Sequence, residues 1–262
     1  MATKKPIKMQ KAKIYYAEGR THQIEFDVGD ITIPDDYCTN GELDIFQIKH
    51  RVPDVWRYTV KVCNGYIQVL PIVRTIALSD FDDRPATDAI DTKIVLLVLE
   101  SPHTSEYAKN ELKKSENLNP KAPAQGKSSG DAGGGIREYL HIVLRKINLL
   151  DGIYSLVISN PIPYMCSLGN PLTETKNKKL RDNIWKAIWE IQDDKGKFAI
   201  QDEFIARCAM YQPEYIINCC TCKLKNFVTD LLVTEGFKNI YKTSHPAVTW
   251  NVKQENLLVE LA

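Results

Sequence analysis

The feature that most constrains the fold is an uninterrupted apolar run, residues 94–99, which is followed at once by Glu100-Ser101-Pro102-His103. Such a run is typical of a strand covered on both faces, like the central strand of a parallel sheet between helices. Open α/β sheets bind ligands beyond the carboxyl ends of their strands. Glu100 and His103 are therefore candidates for a functional site, and the alternative is a polar turn that only ends the strand.

Strand-like and helical segments alternate after this run. Short apolar runs predict strands over 94–99, 154–159, 215–219 and 239–243. Apolar residues at helical spacing predict helices over 136–147, 181–191, 200–210 and 224–233, with a last helical turn or two over 256–261. This alternation indicates an α/β fold, a three-layer sandwich in which helices cover both faces of a four-stranded parallel sheet, over residues 89–262.

Residues 1–88 have a different character and are predicted to form a β-rich N-terminal extension or subdomain. Segments 14–16 and 23–28 alternate as half-buried strands do, and 79–92 is a polar, Asp-rich linker. Within 59–70, Asn64-Gly65 separates two alternating arms. Asn-Gly is the preferred type I′ turn because both central residues need a positive φ, so a hairpin is expected here.

Composition narrows the function classes only broadly. The net charge of +1 argues against a protein that coats nucleic acid by bulk electrostatics, although it leaves room for a local basic face. The chain has neither a signal peptide nor an apolar run near the ~18 residues of a membrane span. The seven cysteines form no disulfide framework. We therefore expect a cytoplasmic protein that does not bind a membrane, with protein partners unknown.

Two motifs suggest cofactors, and both fail on inspection. Gly126-Lys127-Ser128 resembles part of a P-loop, but Lys121 stands where the first glycine belongs. The glycine-rich tract 124–135 could still present backbone N–H groups to phosphates, including those of DNA. Cysteines 219, 220 and 222 lack a second ligand pair, so buried thiols explain them better than zinc does. We expect no metal and no cofactor.

Four polar segments are expected to lie near the same edge of the predicted sheet. Glu100, Asn160 and His245 each follow a predicted strand, and Asp131 lies in the loop before the first long helix. The carboxyl ends of parallel strands meet at one edge. A carboxylate, an amide and a histidine are therefore expected to share one cleft.

At these positions the chain resembles the uracil-DNA glycosylase superfamily. Glu100-Ser101-Pro102 is similar to the glutamate-bearing form of the family's first motif, with Leu99 in place of its glycine. Segment 129–134 is similar to a loop whose aspartate is implicated in catalysis in one branch. Ser159-Asn160 is similar to the strand end that supplies an asparagine to the base edge, and His245-Pro246-Ala247 to the late histidine motif. The resemblance covers residues 93–262.

The resemblance implies roles for these residues. Glu100 and Asp131 are two candidates for the catalytic carboxylate, a choice that the sequence leaves open, and His245 is the candidate donor to the departing base. Asn160 would read the base edge. Three further base contacts are expected at Ser101, His103 and Tyr164. Contacts with the DNA backbone are expected at Lys127, Ser128, Ser244 and Ala247.

The departures from the family motifs bear on the substrate. Ser101 stands where the best-known branch carries its water-activating aspartate, and His103 replaces the tyrosine that rejects thymine. Some bacterial members of the superfamily remove hypermodified cytosines from phage DNA. We therefore expect a glycosylase that acts on a modified pyrimidine, with glucosylated 5-hydroxymethylcytosine in phage DNA as the best candidate.

Three other functions stay open. They are routine repair of uracil in DNA, binding of nucleic acid by a glycosylase-like fold that has lost its chemistry, and a metal-dependent nucleotide hydrolase that uses Glu100 and Asp131 as ligands.

Overall fold

The structure is a computed structural model, and it describes residues 8–17, 19–29, 33, 38–71, 81, 83–108, 118–126, 128, 130–167, 175–250 and 259–262. The strands are β1 (Met9–Ala17), β2 (Arg20–Asp27), β3 (Cys38–Thr39), β4 (Glu42–Phe46), β5 (Val55–Cys63), β6 (Tyr66–Pro71), β7 (Arg84–Pro85), β8 (Lys93–Val98), β9 (Gly152–Ser159), β10 (Tyr215–Asn218), β11 (Ile240–Thr243) and β12 (Val259–Leu261). The α-helices are α1 (Ala132–Lys146), α2 (Thr175–Trp189), α3 (Ala199–Tyr211) and α4 (Cys222–Thr234).

The chain forms two compact units that interleave along the sequence. Unit 1 comprises the described residues of Met1–Val52, Ser101–Lys121 and Ile162–Asp202. Unit 2 comprises those of Pro53–Glu100, Ala122–Pro161 and Glu203–Ala262. This division differs from the sequence-based boundary at residue 88, because β5 and β6 pair into the same sheet as the central strand β8.

Unit 1 contains a four-stranded sheet in the order β2-β1-β4-β3. The predicted strands over 14–16 and 23–28 are present in β1 and β2. These two strands form an antiparallel pair, and β4 lies parallel to β1. Helix α2 packs on β2. Its Trp185 and Trp189 are buried and stacked, with ring centroids 4.8 Å apart, so this aromatic face is core.

Unit 2 contains a mixed sheet of eight strands in the order β12-β11-β10-β8-β9-β5-β6, with β7 paired to β5. The α/β class is confirmed, but the sheet is not the four-stranded parallel sheet expected from the sequence. Strands β11, β10, β8 and β9 are mutually parallel, and antiparallel strands extend them at both edges. The hairpin β5–β6 adds to the edge of β9, which supplies a partner for its backbone.

Local sequence signals explain several of these elements. Residues 94–98 are completely buried in β8, as expected of a strand covered on both faces. The Asn64-Gly65 turn joins β5 to β6, and both residues have positive φ, 50° and 75°, so the predicted hairpin is confirmed. The final helical turn is wrong for residues 259–261, which form β12 against β11, and residues 256–258 lie outside the described residues. Pairing satisfies backbone groups of β11 that would otherwise lie at an open edge.

All four predicted α-helices are present, with α1 and α2 beginning earlier than expected. The apolar pattern of α1 starts at Ile136, but the helix begins at Ala132, because three buried glycines supply its first turn without apolar side chains. No α-helix in the described ranges is long and apolar enough to cross a bilayer.

Candidate functional site

The ends of the parallel strands in unit 2 lie in register. The backbone N–H of Leu99 donates to Ser159 O at 2.9 Å, and that of Cys219 donates to Val98 O at 2.7 Å. Neighbouring strands are separated by about 4.8 Å. The residues that follow β8 and β9, Glu100 and Asn160, are therefore brought to the same edge of the sheet, as the sequence predicts for a parallel arrangement.

Asn160 is the most unusual polar residue at this edge. Its side chain is only 2% exposed, yet neither Oδ1 nor Nδ2 has a hydrogen-bond partner among the described residues. Most buried polar groups in proteins are hydrogen-bonded, and an unsatisfied one costs roughly 1–3 kcal/mol. A buried amide that presents one acceptor and two donors without protein partners has the properties of a ligand-reading group.

Glu100 is buried and is fixed at the start of α4. Its Oε2 accepts the backbone N–H of Thr221 at 3.1 Å and also the Thr221 hydroxyl. Thr221 is the N-cap of α4, where the helix dipole favours a negative charge. The carboxylate therefore supports the first turn of a helix, in addition to any role in chemistry.

Asp131 lies at the N-cap of α1 and is partly exposed. Its Oδ2 accepts hydrogen bonds from Ser128, at 2.8 Å from the hydroxyl and 3.2 Å from the backbone N–H. Gly126 must be glycine, because it has a φ of +93° and a Cβ there would come 2.5 Å from the Cβ of Asp131. The glycine-rich loop thus holds a carboxylate that solvent can reach.

A buried arginine anchors the approach to this loop. Arg57 of β5 donates to the carbonyl oxygens of Pro123 and Ala124, each at 2.6 Å, and forms two hydrogen bonds with Asp83. Its guanidinium also lies over the ring of Phe81, 4.2 Å from the centroid. These contacts fix the chain that leads into the loop of Asp131.

His245 follows β11 and is carried against α1 by a close backbone approach. A Cβ at Gly135 would lie 2.4 Å from Pro246 O, so only glycine permits this contact. The backbone N–H of Ala247 donates to Nδ1 of His245 at 3.3 Å, which puts the proton of the neutral ring on Nε2. Ser244 has a buried hydroxyl with no hydrogen-bond partner in the described part of the chain.

Four of the other predicted contact residues do not belong to the described part of unit 2. Ser101, His103 and Tyr164 belong to unit 1, and Lys127 lies outside the described residues. His103 is the N-cap of a short 3₁₀ turn, and its backbone N–H donates to Glu106 Oε2 at 2.8 Å, so this residue caps the turn.

Tyr164 does not have the open ring face that stacking on a base requires. The ring is completely buried and packs edge-on against Phe46, with centroids 6.1 Å apart. Its hydroxyl donates to the backbone oxygen of Tyr15. Tyr164 is therefore a core residue of unit 1, and the expected stacking role has no support in this packing.

The cysteines at the end of β10 behave as buried thiols. Cys219 and Cys220 are completely buried, and burial raises the pKa of both thiols well above the ordinary value. Within the described ranges, no three His, Cys, Asp or Glu side chains group in a way that could hold a metal ion.

Sequence reasoning missed two residues that shape this edge. Thr221 binds Glu100, and its signal was the threonine directly before the helical pattern of α4. Arg207 binds the carbonyl oxygens of Asn160 and Pro161. Its signal was a charged residue on the face of α3 that otherwise carries Ile200, Phe204 and Tyr211.

Glu100, Asn160, Asp131, Ser244 and His245 thus all belong to unit 2. Glu100, Asn160, Ser244 and His245 follow the ends of parallel strands, and Asp131 is the N-cap of α1. An amide, a carboxylate and an imidazole are groups that can bind a polar ligand and transfer protons. No protein-family model, curated protein or solved structure matches the chain.

Proposed function

We propose that the chain is a monofunctional DNA glycosylase, which hydrolyses the N-glycosidic bond of a flipped-out pyrimidine and leaves an abasic site. The observation that carries the proposal is the buried, unpartnered amide of Asn160 beside the end of β8. A pyrimidine offers donors and acceptors on its pairing edge, and an amide can match them. The four mutually parallel strands also agree with the parallel strand set that the resemblance implies.

Cleavage of the glycosidic bond builds positive charge on the sugar, so a carboxylate is needed to stabilise that charge and to orient or deprotonate water. Asp131 suits this role better than Glu100. Its carboxylate is partly exposed in the loop before α1, whereas Glu100 is buried and engaged with the N-cap of α4. Asp131 is therefore assigned to water and Glu100 to the architecture of the edge.

Negative charge grows on the departing base, and a hydrogen-bond donor there lowers the barrier. His245 fits because the backbone of Ala247 binds Nδ1 and leaves the ring proton on Nε2. One preorganised donor of this kind is worth roughly 3–4 kcal/mol in oxyanion sites.

The preferred base is a modified pyrimidine, with glucosylated 5-hydroxymethylcytosine in phage DNA as the first candidate. The base must leave the helix stack, at a cost of a few kcal/mol, before Asn160 can reach its pairing edge. The amide of Asn160 can serve uracil or, rotated, cytosine. The sequence departures at Ser101 and His103 favour a modified cytosine over routine uracil repair.

The test is incubation of the protein in EDTA with matched DNA duplexes that carry uracil, cytosine or glucosylated 5-hydroxymethylcytosine. Alkali then converts abasic sites to strand breaks. Breaks in one duplex support a glycosylase and identify its base. Breaks only when EDTA is replaced by a divalent metal would favour a metal-dependent hydrolase, and tight DNA binding without breaks would favour a binding protein.

A further inference from the structure

Arg207 of α3 makes several hydrogen bonds at the end of β9, where Asn160 lies. Its Nη1 donates to both carboxylate oxygens of Asp54, at 2.8 and 2.7 Å, and to Ser159 Oγ at 2.9 Å. Its Nη2 donates to Asn160 O at 3.0 Å and to Pro161 O at 3.3 Å. The guanidinium therefore binds three consecutive residues at the end of β9.

Two carboxylates fix the guanidinium itself. Asp54 binds Nη1, and Glu203, one helical turn earlier in α3, binds Nε at 3.0 Å and Nη2 at 3.2 Å. Burial opposes the positive charge, but Asp54 and Glu203 outweigh it and raise the pKa of Arg207 above its ordinary value. Arg207 stays charged, and its planar fork is held in one orientation.

The hydrogen bonds of Arg207 hold the backbone of Asn160, whose side chain makes no hydrogen bond with the described residues. The amide of Asn160 has no hydrogen-bond partner among the described residues, so no bond of its own fixes its orientation. Its orientation then depends on the surrounding packing and on the position of its own backbone. Arg207 holds that backbone through the carbonyl oxygens of Asn160 and Pro161, and it also binds the Ser159 hydroxyl. A site group is effective only when its geometry is held by such supporting contacts.

We propose that Arg207 is a positioning residue that sets the orientation of the Asn160 amide toward the base. This inference rests on the proposed function and assigns it a residue that makes no contact with the substrate. The competing explanation is a purely structural role, in which Arg207 only ties α3 to the end of β9 and to Asp54.

The test is a double-mutant cycle of Arg207→Lys and Asn160→Ala. Lysine keeps the charge but cannot reproduce the fork that reaches Ser159, Asn160 and Pro161 together. Excision is measured under single-turnover conditions, per folded molecule, on the glucosylated 5-hydroxymethylcytosine duplex, or on the uracil duplex if the native chain cleaves that one. We expect Arg207→Lys to lower kcat/KM by about 10- to 100-fold. In the Asn160→Ala background we expect a further change of less than about twofold.

A matched control comes from the same network. Tyr211 donates to Asp54 Oδ2 at 3.0 Å, so Tyr211→Phe perturbs the network and leaves every bond of Arg207 in place. Excision per folded molecule should be unchanged in this variant. If Arg207→Lys does not fold, Ser159→Ala removes one bond to the same turn and should lower kcat/KM roughly fivefold, again only when Asn160 is present.

The possible failures are distinguishable. A native chain that leaves every duplex intact contradicts the proposed function and, with it, the role of Arg207 in excision. A native chain that cleaves, with Arg207→Lys equally fast per folded molecule, contradicts the role of Arg207 alone. An equal loss with and without Asn160 also contradicts it, because Arg207 would then act independently of the amide.

Discussion

Asn160 and Asn218 lie at the ends of the two strands that flank β8, and both amides are buried. The Asn218 amide is fully hydrogen-bonded, whereas the Asn160 amide has no partner among the described residues. Asn218 donates from Nδ2 to Lys225 O and to Thr229 Oγ1, each at 3.0 Å, and its Oδ1 accepts the backbone N–H of Cys220 at 3.0 Å. The side chain of Asn160 makes no hydrogen bond with any described residue. The Asn218 amide is therefore structural, whereas the Asn160 amide is the one to which we assign the base.

This pair predicts opposite effects on stability. Asn218→Ala should lower the free energy of unfolding by about 2–3 kcal/mol, since it leaves buried partners unsatisfied. Asn160→Ala removes a buried amide whose desolvation is not offset by a hydrogen bond. The free energy of unfolding of this variant should therefore stay within about 1 kcal/mol of the native value. Urea unfolding measures both. A loss in Asn160→Ala as large as that in Asn218→Ala would contradict the ligand-reading role.

Substitution of the two carboxylates should also have different effects, on activity at Asp131 and on stability at Glu100. Asp131→Asn should lower the excision rate by about 10²- to 10⁴-fold with little effect on folding, because it removes the group assigned to water. Glu100→Gln should lower the free energy of unfolding by about 1–2 kcal/mol, because the charge at the N-terminus of α4 is lost. Single-turnover excision and urea unfolding of each variant decide the assignment. An active Asp131→Asn beside an inactive, folded Glu100→Gln would reverse it.

The close approach of α1 to the His245 segment predicts a position-specific glycine effect. In Gly135→Ala the new methyl would meet Pro246 O, which must move, so we expect a loss of about 1–3 kcal/mol in stability and a lower excision rate. Gly130→Ala is the matched control, because among the described residues its Cβ would come near only Ser128 Oγ, at 3.7 Å. Equal tolerance of the two substitutions would show that His245 does not depend on this contact.

Unit 1 contains a histidine that should make stability depend on pH. His50 is buried, and desolvation lowers its pKa below the ordinary 6.5, although its Nδ1 bonds to Ile45 O at 3.0 Å. The unfolded chain therefore binds a proton before the folded chain does, and stability falls as pH drops below about 6.5 toward the folded pKa. We expect His50→Gln to flatten this slope in urea unfolding between pH 7 and pH 5. An unchanged slope would show that other groups cause it.

Local signals in the sequence were sufficient for much of the fold. The Asn64-Gly65 turn, the apolar run of β8 and the helical spacing of α3 and α4 each depend on neighbours in the chain, and each appears as predicted. Long-range pairing was not accessible. Nothing near Val55–Cys63 indicates that this strand pairs with β9, about 90 residues away, and three residues at the C-terminus cannot reveal a partner in β11.

The candidate site was only partly accessible for the same reason. Strand ends at one edge of a parallel sheet are predictable, which explains why Glu100 and Asn160 were identified together. Tyr164 was misassigned because a tyrosine in a loop has the same local sequence whether its ring is open or packed against Phe46. Arg207 was missed because its partners lie in other parts of the chain.

The most direct measurement of the central claim is the rate of abasic-site formation by the native chain and by Asn160→Ala, side by side in EDTA on the three duplexes. We expect the native chain to cleave one duplex after alkali, and Asn160→Ala to cleave it about 10²-fold more slowly while it unfolds at nearly the same urea concentration. No breaks with the native chain, or equal rates for both proteins, would contradict a glycosylase that reads its base through Asn160.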